Sequence, residues 1–426
     1  MSDSVIATII LICILISFIV NKIPVGLTAL LGALAMAYFG IIPFSKALSH
    51  FGSDTVMMVT GVMVIGNALF ETGCAQMLGK ALVRIPGVGT NEKLFLAVVL
   101  VVVSVLSAFV SNTATVAMMI PLIASVAAAS DGKITKKNTY MAAGIASIVG
   151  GNATLAGSTP QIVAQGILEQ TAGVRTLTFF EMTRGTLPIV AVMILYFGTV
   201  GYGLQKKVFD FPDAPPTSPS ETEKQSASTS KMVISALIFV GCVIAFALGV
   251  ATFGVIAITG ACLCCLTGCI SPRRVWETMD WRTIAVLGGS LGFASGMEES
   301  GALELIANFV LSTLGGANAS IWLVTAVIIV VCSVLGNVMS HTATAAIMTP
   351  FAIALAQGMG QDPVPFVIMV ILGCNLAFAT PMSTPPLTMV LVAGYRFKDY
   401  LKVGGLFTIL AVLTAVLTIP PLYGLI

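Results

Sequence analysis

Two short polar triplets lie inside long apolar stretches of the sequence. Ser111-Asn112-Thr113 interrupts the first stretch, residues 94–130, and Ser340-His341-Thr342 interrupts the second, residues 321–357. Their hydroxyl and amide groups donate and accept hydrogen bonds without carrying a fixed charge. Groups of this kind can hold an anion or a small hard cation, provided that the fold brings them together.

Each half of the chain also has an apolar segment that is broken by turn-forming residues. The breaks read GGNATLAGSTPQ and ATPMSTPPLT. We expect Thr159 and Thr384 to cap new half-helices, because Pro160 and Pro385 follow them at the first helical position. Exposed amides and the positive end of the helix dipole would make these two helix starts anion sites.

The triplets predict two further helix starts. Each long apolar stretch is expected to form a helical hairpin, spanning or re-entrant, with its triplet at the tip. Ser111 or Thr113 would cap the returning helix of the first hairpin, and Ser340 or Thr342 that of the second. Irregular backbone at membrane depth is tolerated only where protein or a wet cavity surrounds it.

The composition predicts that these elements lie in a membrane. Of the 426 residues, 57% are hydrophobic and 9% are charged, and the mean hydropathy is +1.02. Soluble domains carry roughly 25% charged residues, so we expect an all-α polytopic membrane protein embedded in the lipid bilayer. The formal net charge of +2 supplies no basic field for a nucleic acid.

Metal and disulfide chemistry is disfavoured by the residue types. The two histidines, His50 and His341, are too few for a histidine-based metal cluster. The nine cysteines fall mostly in apolar runs, which favours simple packing over thiolate ligation or disulfides. We expect His50 to be an exposed or interfacial loop residue.

Apolar segments of about 20 residues can cross a bilayer, and ten are found besides the two hairpins. They run approximately over Val5–Val20, Val25–Ile42, Thr55–Phe70, Thr139–Gln170, Thr186–Leu204, Met232–Val250, Ala251–Ile270, Thr283–Met297, Phe366–Ala393 and Gly404–Ile426.

The basic residues predict an orientation for these crossings. With ten crossings, every Lys and Arg except Lys46, Arg175 and Arg184 falls on one side of the membrane. The positive-inside rule makes that side cytoplasmic, with both termini outside a cytoplasmic (inner) membrane. The first apolar run has no cationic residues before it, so we read it as a transmembrane helix and not as a cleaved signal.

The two halves of the chain repeat one another. SNTATVAMMIPL and SHTATAAIMTPF match at seven of twelve positions, and a hydrophilic tract separates them. We therefore divide the chain into a first repeat (1–205), a cytoplasmic linker (206–231) and a second repeat (232–426). An odd number of crossings between the tips makes the repeats inverted, which is typical of secondary transporters with a site near the midplane.

Charge is absent from the centres of the predicted spans. Glu169 is the charged residue that comes nearest to one. Antiport of protons or cations usually needs a carboxylate buried in the membrane. An anion held by neutral groups would instead need a co-bound cation, and sodium suits a cage made only of oxygen atoms.

These motifs resemble a known family. SNTATVAMMIPL and GGNATLAGSTPQ are similar to the divalent anion/sodium symporters, which carry dicarboxylates, citrate and sulfate. The stretch AVLGGSLGFASGMEESGALELIANFV resembles that family's second-half scaffold helix, and the likeness covers most of the chain. It implies sodium-coupled transport of a small divalent anion, with a transport unit that moves like an elevator against a dimerising scaffold, and hence a homodimer.

The resemblance also implies a set of site residues. The first sodium ion would be bound by Ser107, Ser111, Asn112 and the backbone at Gly157. The substrate would contact residues of both halves. In the first half these are Ser111, Asn112 and Ser158, with Thr113 and Thr159 added as hydroxyls at predicted helix starts. In the second half they are Ser340, His341, Thr384 and Pro385, with Thr342 added for the same reason.

A second cation site, at His341 and Ser383, departs from the family pattern. His341 stands where the family has Asn, and Gly336 stands where it has a hydroxyl residue. Either a neutral His341 hydrogen-bonds within the tip, or a titrating His341 partly replaces the second sodium ion. A proton-coupled carrier or an anion exchanger is therefore the alternative to sodium symport.

Two other classes of protein fit less well. An intramembrane enzyme would need a nucleophile with a base, and the adjacent Ser340 and His341 are the one suggestive pair, although neighbouring residues rarely face each other. A channel is disfavoured, because inverted repeats with capped half-helices predict a closed central site.

Overall fold

The protein is all-α. The computed structural model describes residues 2–20, 22–74, 77, 87–130, 132–213, 229–314, 319–381 and 383–426, and every regular element in these ranges is a helix. Among them, six helices are long and apolar enough to cross a membrane, or seven if one bent pair is a single span. The number of ten crossings stays a prediction, since several apolar helices are shorter than a full span.

The first half contains ten α-helices and one short 3-10 helix (His50–Gly52) within the described ranges. The α-helices are α1 (Asp3–Val20), α2 (Val25–Tyr38), α3 (Phe44–Ser49), α4 (Asp54–Glu71), α5 (Glu92–Ser107), α6 (Asn112–Ala129), α7 (Lys136–Gly151), α8 (Thr159–Gln170), α9 (Thr183–Gly198) and α10 (Val200–Val208). Helices α5 and α6 form the predicted first hairpin, and α7 and α8 form the first broken helix. Helices α9 and α10 bend by 51° where they meet.

The second half repeats this order of hairpin and broken helix. Its main helices are α11 (Thr229–Leu248), α12 (Phe253–Leu266), α13 (Pro272–Thr278), α14 (Trp281–Glu299), α15 (Ala302–Leu314), α16 (Ile321–Val338), α17 (His341–Gly358), α18 (Pro363–Asn375), α19 (Pro385–Met389) and α20 (Gly405–Leu422). Short helical turns at Val390–Ala393, Phe397–Asp399 and Tyr400–Gly404 lie between α19 and α20. Helices α16 and α17 are the second hairpin, and α18 and α19 are the second broken helix. Helix α15 was not among the predicted spans.

The predicted linker is partly helical. Helix α10 runs into it as far as Val208, and α11 begins before its end, at Thr229. Residues 214–228 lie outside the described ranges. Just before them, the Asp213 carboxylate accepts hydrogen bonds from the backbone amides of Lys136 and Lys137, both at 3.0 Å. The Asp213 carboxylate of the linker thus provides the negative charge that the N terminus of α7 favours.

The helices pack into two groups. We call α1–α4 and α11–α15 the scaffold group, in which α2 packs on α14 and α4 packs on α12. Glycines allow this close approach: a methyl group at Gly289 would lie 2.6 Å from the Leu30 amide nitrogen, and one at Gly292 would overlap the Ala47 carbonyl. Small residues at such contacts are what allows helices to associate in lipid.

The remaining helices, α5–α10 and α16–α20, form what we call the hairpin group. It contains both hairpins and both broken helices, with α5 and α6 packed on α7, and α16 and α17 packed on α18. Helix α7 is buried along nearly its whole length, and α18 likewise. Because the broken helices are central, any polar group that their breaks expose must be satisfied within this group.

The two groups pack against each other where α14 and α15 meet α17 and where α4 and α14 meet α8, and a few polar contacts join them. The Thr55 hydroxyl donates to Glu169 Oε2 at 2.6 Å, and the Ser295 hydroxyl donates to Gln170 Oε1 at 2.6 Å. His50 Nε2 lies 3.2 Å from the Ser295 oxygen. His50 is thus a half-buried interfacial residue, in agreement with its sequence context.

Gly61 should be intolerant of substitution, because a methyl group there would lie 2.5 Å from the Ala257 carbonyl oxygen of α12. We expect Gly61→Ala to force α4 and α12 apart and to lower stability by about 1–3 kcal/mol. The measurement is the midpoint of thermal unfolding in detergent. Gly241→Ala in α11 is the matched control, since no atom lies within 4 Å of the added methyl group; equal midpoints for the two variants would contradict this packing.

Candidate substrate and cation site

A serine caps the returning helix at each hairpin tip. The Ser111 hydroxyl accepts from the Ala114 amide at 3.3 Å, and the Ser340 hydroxyl accepts from the Ala343 amide at 3.2 Å. Thr113 and Thr342 lie inside α6 and α17, so the alternative that they are the caps is wrong. The serine is the cap because it precedes the first helical residue, and from that position its side-chain oxygen can reach the amide three residues further on.

A new helix begins after each break as predicted, but one of the two predicted cap positions is shifted by one residue. Thr384 is the cap residue of α19, and Pro385 follows it. The predicted cap Thr159 is wrong by one residue, because α8 begins at Thr159 and Ser158 occupies the cap position. Neither cap side chain bonds the amides of its own helix. In α8 these amides are left to other partners, whereas α19 begins with Pro385 and Pro386, which have no N–H.

The first hairpin tip and the first break meet at the side chain of Asn112. With its amide nitrogen turned inward, Asn112 has three acceptors for its two N–H protons: Ser107 Oγ at 2.7 Å, the Ser147 carbonyl oxygen at 2.9 Å and the Gly157 carbonyl oxygen at 3.1 Å. We call these three oxygens and Asn112 the Asn112 corner. Three of the residues expected at the first sodium site, Ser107, Asn112 and Gly157, are therefore together, whereas the hydroxyl of Ser111 is used as a helix cap.

Glycines make the Asn112 corner possible. A methyl group at Gly151 would overlap the Asn112 side chain, and one at Gly157 would overlap the Gly151 carbonyl oxygen. A methyl group at Gly150 would overlap the backbone of Ser104 in α5. The GG…G spacing of the first break is thus required for the hairpin to approach α7.

The donor set of the Asn112 corner suits a small hard cation. The orientation of an amide group is assigned from its hydrogen bonds, and a half-turn of the Asn112 amide brings its oxygen next to three others. Neutral carbonyl oxygens at unwound helix ends are the ligands that sodium has in transporters with broken helices. In the described part of the chain, no three His, Cys, Asp or Glu side chains lie together as a metal site.

A second polar cluster connects the two halves through Asn375, the last residue of α18. Its Nδ2 donates to Asn152 Oδ1 at 2.6 Å and to Ser158 Oγ at 3.4 Å, both in the first break. Its Oδ1 lies 3.1 Å from His341 Nδ1, at the second hairpin tip. We call Asn152, Asn375 and His341 the central network. The two tips are thus linked through the first break and the end of α18.

Three buried polar atoms in this region have no partner in the described part of the chain. They are His341 Nε2, Asn152 Nδ2 and Thr384 Oγ1. A buried polar atom without a hydrogen bond is costly, so these atoms mark where a polar ligand would be bound. The other predicted substrate residues are more open: Thr159 and Thr342 are half-buried, and Thr113 and Pro385 are exposed.

The second half does not reproduce the Asn112 corner. A methyl group at Gly336 would lie 2.6 Å from the Cys374 carbonyl oxygen, so a hydroxyl residue does not fit there. The Ser383 hydroxyl donates within its own break, to the carbonyls of Ala377 at 3.1 Å and Thr380 at 3.3 Å. The second cation site at His341 and Ser383 therefore stays a prediction that no observed contact favours.

Sequence reasoning missed three functional candidates. The Ser147 carbonyl carries no signal in the residue type, because any residue has a main-chain oxygen. Asn152 and Asn375 could have been found, since each half has an Asn at the end of the helix before its break, in GGN and GCN. A buried Asn at a helix end needs several hydrogen-bond partners.

Comparison with known proteins identifies the family. Residues 15–361 match the CitMHS family model, described as a citrate transporter. The chain belongs to this family. It is therefore a multi-pass membrane transporter and not an enzyme, and the resemblance seen in the sequence motifs is confirmed.

Several relatives cover most of the chain. An uncharacterized transporter of Haemophilus influenzae is 25% identical over 410 residues, 92% of this chain and 86% of that protein. The sodium-dependent high-affinity dicarboxylate transporter 3 of Caenorhabditis elegans is 24% identical over 473 residues (95% and 81%). The sodium-dependent dicarboxylate transporter SdcS of Staphylococcus saprophyticus is 25% identical over 448 residues (96% and 85%).

A solved structure supports the fold. The crystal structure of the Alcanivorax borkumensis YdaH transporter, described as having an unusual topology, matches with a TM-score of 0.64 and 13% identity. The match covers 90% of this chain and 88% of that chain. At this identity the likeness concerns the fold alone.

Gly151 offers a test of the Asn112 corner. We expect Gly151→Ala to displace the Asn112 amide, since the added methyl group overlaps that side chain, and to abolish most of the rise in thermal stability that sodium chloride gives over choline chloride. Gly144→Ala in the same helix is the control, because its methyl group would make ordinary contacts of 3.4 Å. An unchanged sodium effect in Gly151→Ala would remove the corner as the cation site.

Proposed function

We propose that this transporter carries small di- and tricarboxylate anions together with sodium, by alternating access. The observation that carries the proposal is the Asn112 corner, where a hydroxyl and two carbonyl oxygens lie 2.7–3.1 Å from one amide nitrogen. The proposal is supported by the description of the family as citrate transporters and by relatives named as sodium-dependent dicarboxylate transporters.

Sodium and substrate would have separate groups of ligands. Sodium would be held by Ser107, Asn112 and the carbonyls of Gly157 and Ser147, the last of which lies 2.9 Å from the Asn112 amide. Ser111 would join them, because its hydroxyl oxygen has a second lone pair besides the one that accepts from Ala114. The bound ion would supply positive charge beside the anion. The substrate carboxylates would be bound at the starts of α6, α8 and α17, where backbone amides favour negative charge. Helix α19 begins with Pro385 and Pro386, which have no N–H, so the unpartnered Thr384 hydroxyl would be the donor there.

An elevator motion would expose this site to either side of the membrane. Both tips and both breaks belong to the hairpin group, so they can move as one body against the scaffold group. The few polar contacts between the groups, such as Thr55 with Glu169, are ones that a sliding motion can break. We further propose that the scaffold groups form the homodimer, in an inner membrane with both termini outside, and that residues 1–205 and 232–426 are inverted repeats.

Proteoliposome uptake tests sodium coupling. Initial uptake of labelled citrate and succinate should rise strongly with an inward sodium gradient and should stay low with potassium or choline. We expect Asn112→Ala to lower the sodium-stimulated rate at least about tenfold, because the loss of a contact worth about 1.4 kcal/mol corresponds to a factor of ten.

Asn67→Ala provides the matched control for this experiment. Asn67 is a half-buried amide of the scaffold group, and its Nδ2 donates to Thr278 Oγ1 at 2.9 Å. Its loss should leave the sodium dependence unchanged. An uptake rate that does not depend on sodium in the parent protein would instead favour the proton-coupled carrier or the anion exchanger.

Cross-linking tests the elevator motion. Cysteines at Thr55 and Glu169 would join the scaffold group to the hairpin group, so a short bifunctional thiol reagent should stop uptake in T55C/E169C. The control pair T72C/S235C lies within the scaffold group, where the two hydroxyl oxygens are 2.8 Å apart. Cross-linking this pair should leave uptake intact, and full activity of cross-linked T55C/E169C would exclude a sliding hairpin group.

A further inference from the structure

The donors and acceptors around the first break can be assigned from two backbone carbonyls. Gln161 is fully buried, and its Nε2 lies 2.7 Å from the Gly151 carbonyl oxygen and 3.2 Å from that of Thr154. Carbonyl oxygens only accept hydrogen bonds, so the atom facing them must be the amide nitrogen. The remaining amide atom of Gln161, its oxygen, therefore faces Ser158.

The same assignment continues across the break into the second half. Gln161 Oε1 can only accept, so Ser158 donates its single hydroxyl proton to it. Ser158 must then accept from Asn375, which identifies the facing atom as Nδ2. The oxygen of Asn375 is left to face His341 Nδ1 at 3.1 Å, so Nδ1 carries a proton.

The tautomer of His341 follows. A histidine is neutral at about pH 8, since its ordinary pKa is about 6.5. A neutral ring with its proton on Nδ1 has a bare lone pair on Nε2 and can only accept there. His341 Nε2 is buried and makes no hydrogen bond in the described part of the chain. The Ala377 carbonyl, which lies beside the ring, accepts from the Ser383 hydroxyl at 3.1 Å. The second hairpin tip thus presents an unused hydrogen-bond acceptor.

The residues bonded to one another around His341 also supply unused donors. His341 is the first residue of α17, whose opening amides favour a carboxylate. Across the central network, the Oδ1 of Asn152 is occupied by Asn375, which leaves the buried Asn152 Nδ2 as an unused donor. The site therefore combines donors for a carboxylate with one acceptor for a proton-bearing group.

We infer that His341 Nε2 selects substrates that carry a hydrogen-bond donor next to a carboxylate, namely 2-hydroxy di- and tricarboxylates. The inference rests on the proposed function and specifies its substrate. His341 would touch the hydroxyl of the substrate, whereas Asn375 would be a positioning residue that holds the ring in the accepting tautomer. Succinate and sulfate offer only acceptors and would leave Nε2 unpaired.

A protonated carboxyl group could offer the same donor chemistry as a hydroxyl. Measurements at about pH 8 remove that source, because carboxyl groups with pKa values near 4 are then ionised. The probes are malate, succinate and 2-fluorosuccinate, all at saturating sodium. The fluorinated compound retains a polar group at the same carbon but has no proton to donate.

The test is the ratio of kcat/KM values in proteoliposomes. We expect the parent protein to prefer malate to succinate and to 2-fluorosuccinate at least about tenfold, because a site built for a hydroxyl discriminates against analogues that lack it. In His341→Asn, whose amide offers both donor and acceptor, the ratio should fall to about twofold. Asn375→Ala should also lower the ratio, since the ring is then free to change tautomer.

Thr349→Val is the matched control. Thr349 is another buried residue of α17 with an unpartnered hydroxyl, but it belongs to neither the central network nor a helix start. Its replacement should leave the substrate ratio unchanged. A general disturbance of α17 would alter all rates together without shifting the ratio.

A binding measurement on the parent protein does not depend on the variants folding. In detergent with sodium at about pH 8, malate should raise the thermal unfolding midpoint more than equimolar succinate or 2-fluorosuccinate. Equal shifts and equal kcat/KM values, alongside sodium-dependent uptake of succinate, would overturn the selectivity of His341 and leave the proposed function standing. Absence of uptake of every carboxylate would overturn both.

Discussion

The bond between the Gln161 side chain and the carbonyls of Gly151 and Thr154 is the constraint on which the site depends. A helix that stops inside a membrane leaves carbonyl oxygens without partners, and the lipid tails offer no donor to satisfy them. Gln161 closes the turn between α7 and α8 from within. The closed turn places the Gly157 carbonyl against Asn112 and presents Ser158 to Asn375. The Asn112 corner and the central network therefore both depend on this one turn.

The two halves use the same architecture for different chemistry. Asn112 and His341 occupy matching places at the hairpin tips, yet Asn112 gathers three oxygens, whereas His341 bonds to one amide. The difference is enforced by the backbone, since Gly336 lies too close to the Cys374 carbonyl for a hydroxyl side chain. The first half would therefore hold the proposed cation, and the second half would contact the polar groups of the proposed organic anion.

Much of this could be predicted from residue patterns, for physical reasons. Apolar stretches with a polar triplet indicate hairpins, and a Ser-Thr-Pro sequence indicates a helix start, because each pattern reports a local preference of the backbone. Thr159 was misplaced by one residue, since Ser158 and Thr159 are equally good caps and only tertiary contacts choose between them. The Ser147 carbonyl and the pairing of Asn152 with Asn375 depend on how distant segments meet, which local preferences do not contain.

The glycine contacts between α2 and α14 have a consequence for handling the protein outside its native bilayer. Lipid tails are as apolar as leucine, so these helices are held by the fit of backbone against backbone and not by exclusion of water. A micelle does not weaken such a fit. Water that penetrates the micelle competes instead for the amides and carbonyls at the interrupted helices. In a harsh detergent, the breaks of the hairpin group should therefore lose their order while the scaffold group stays folded.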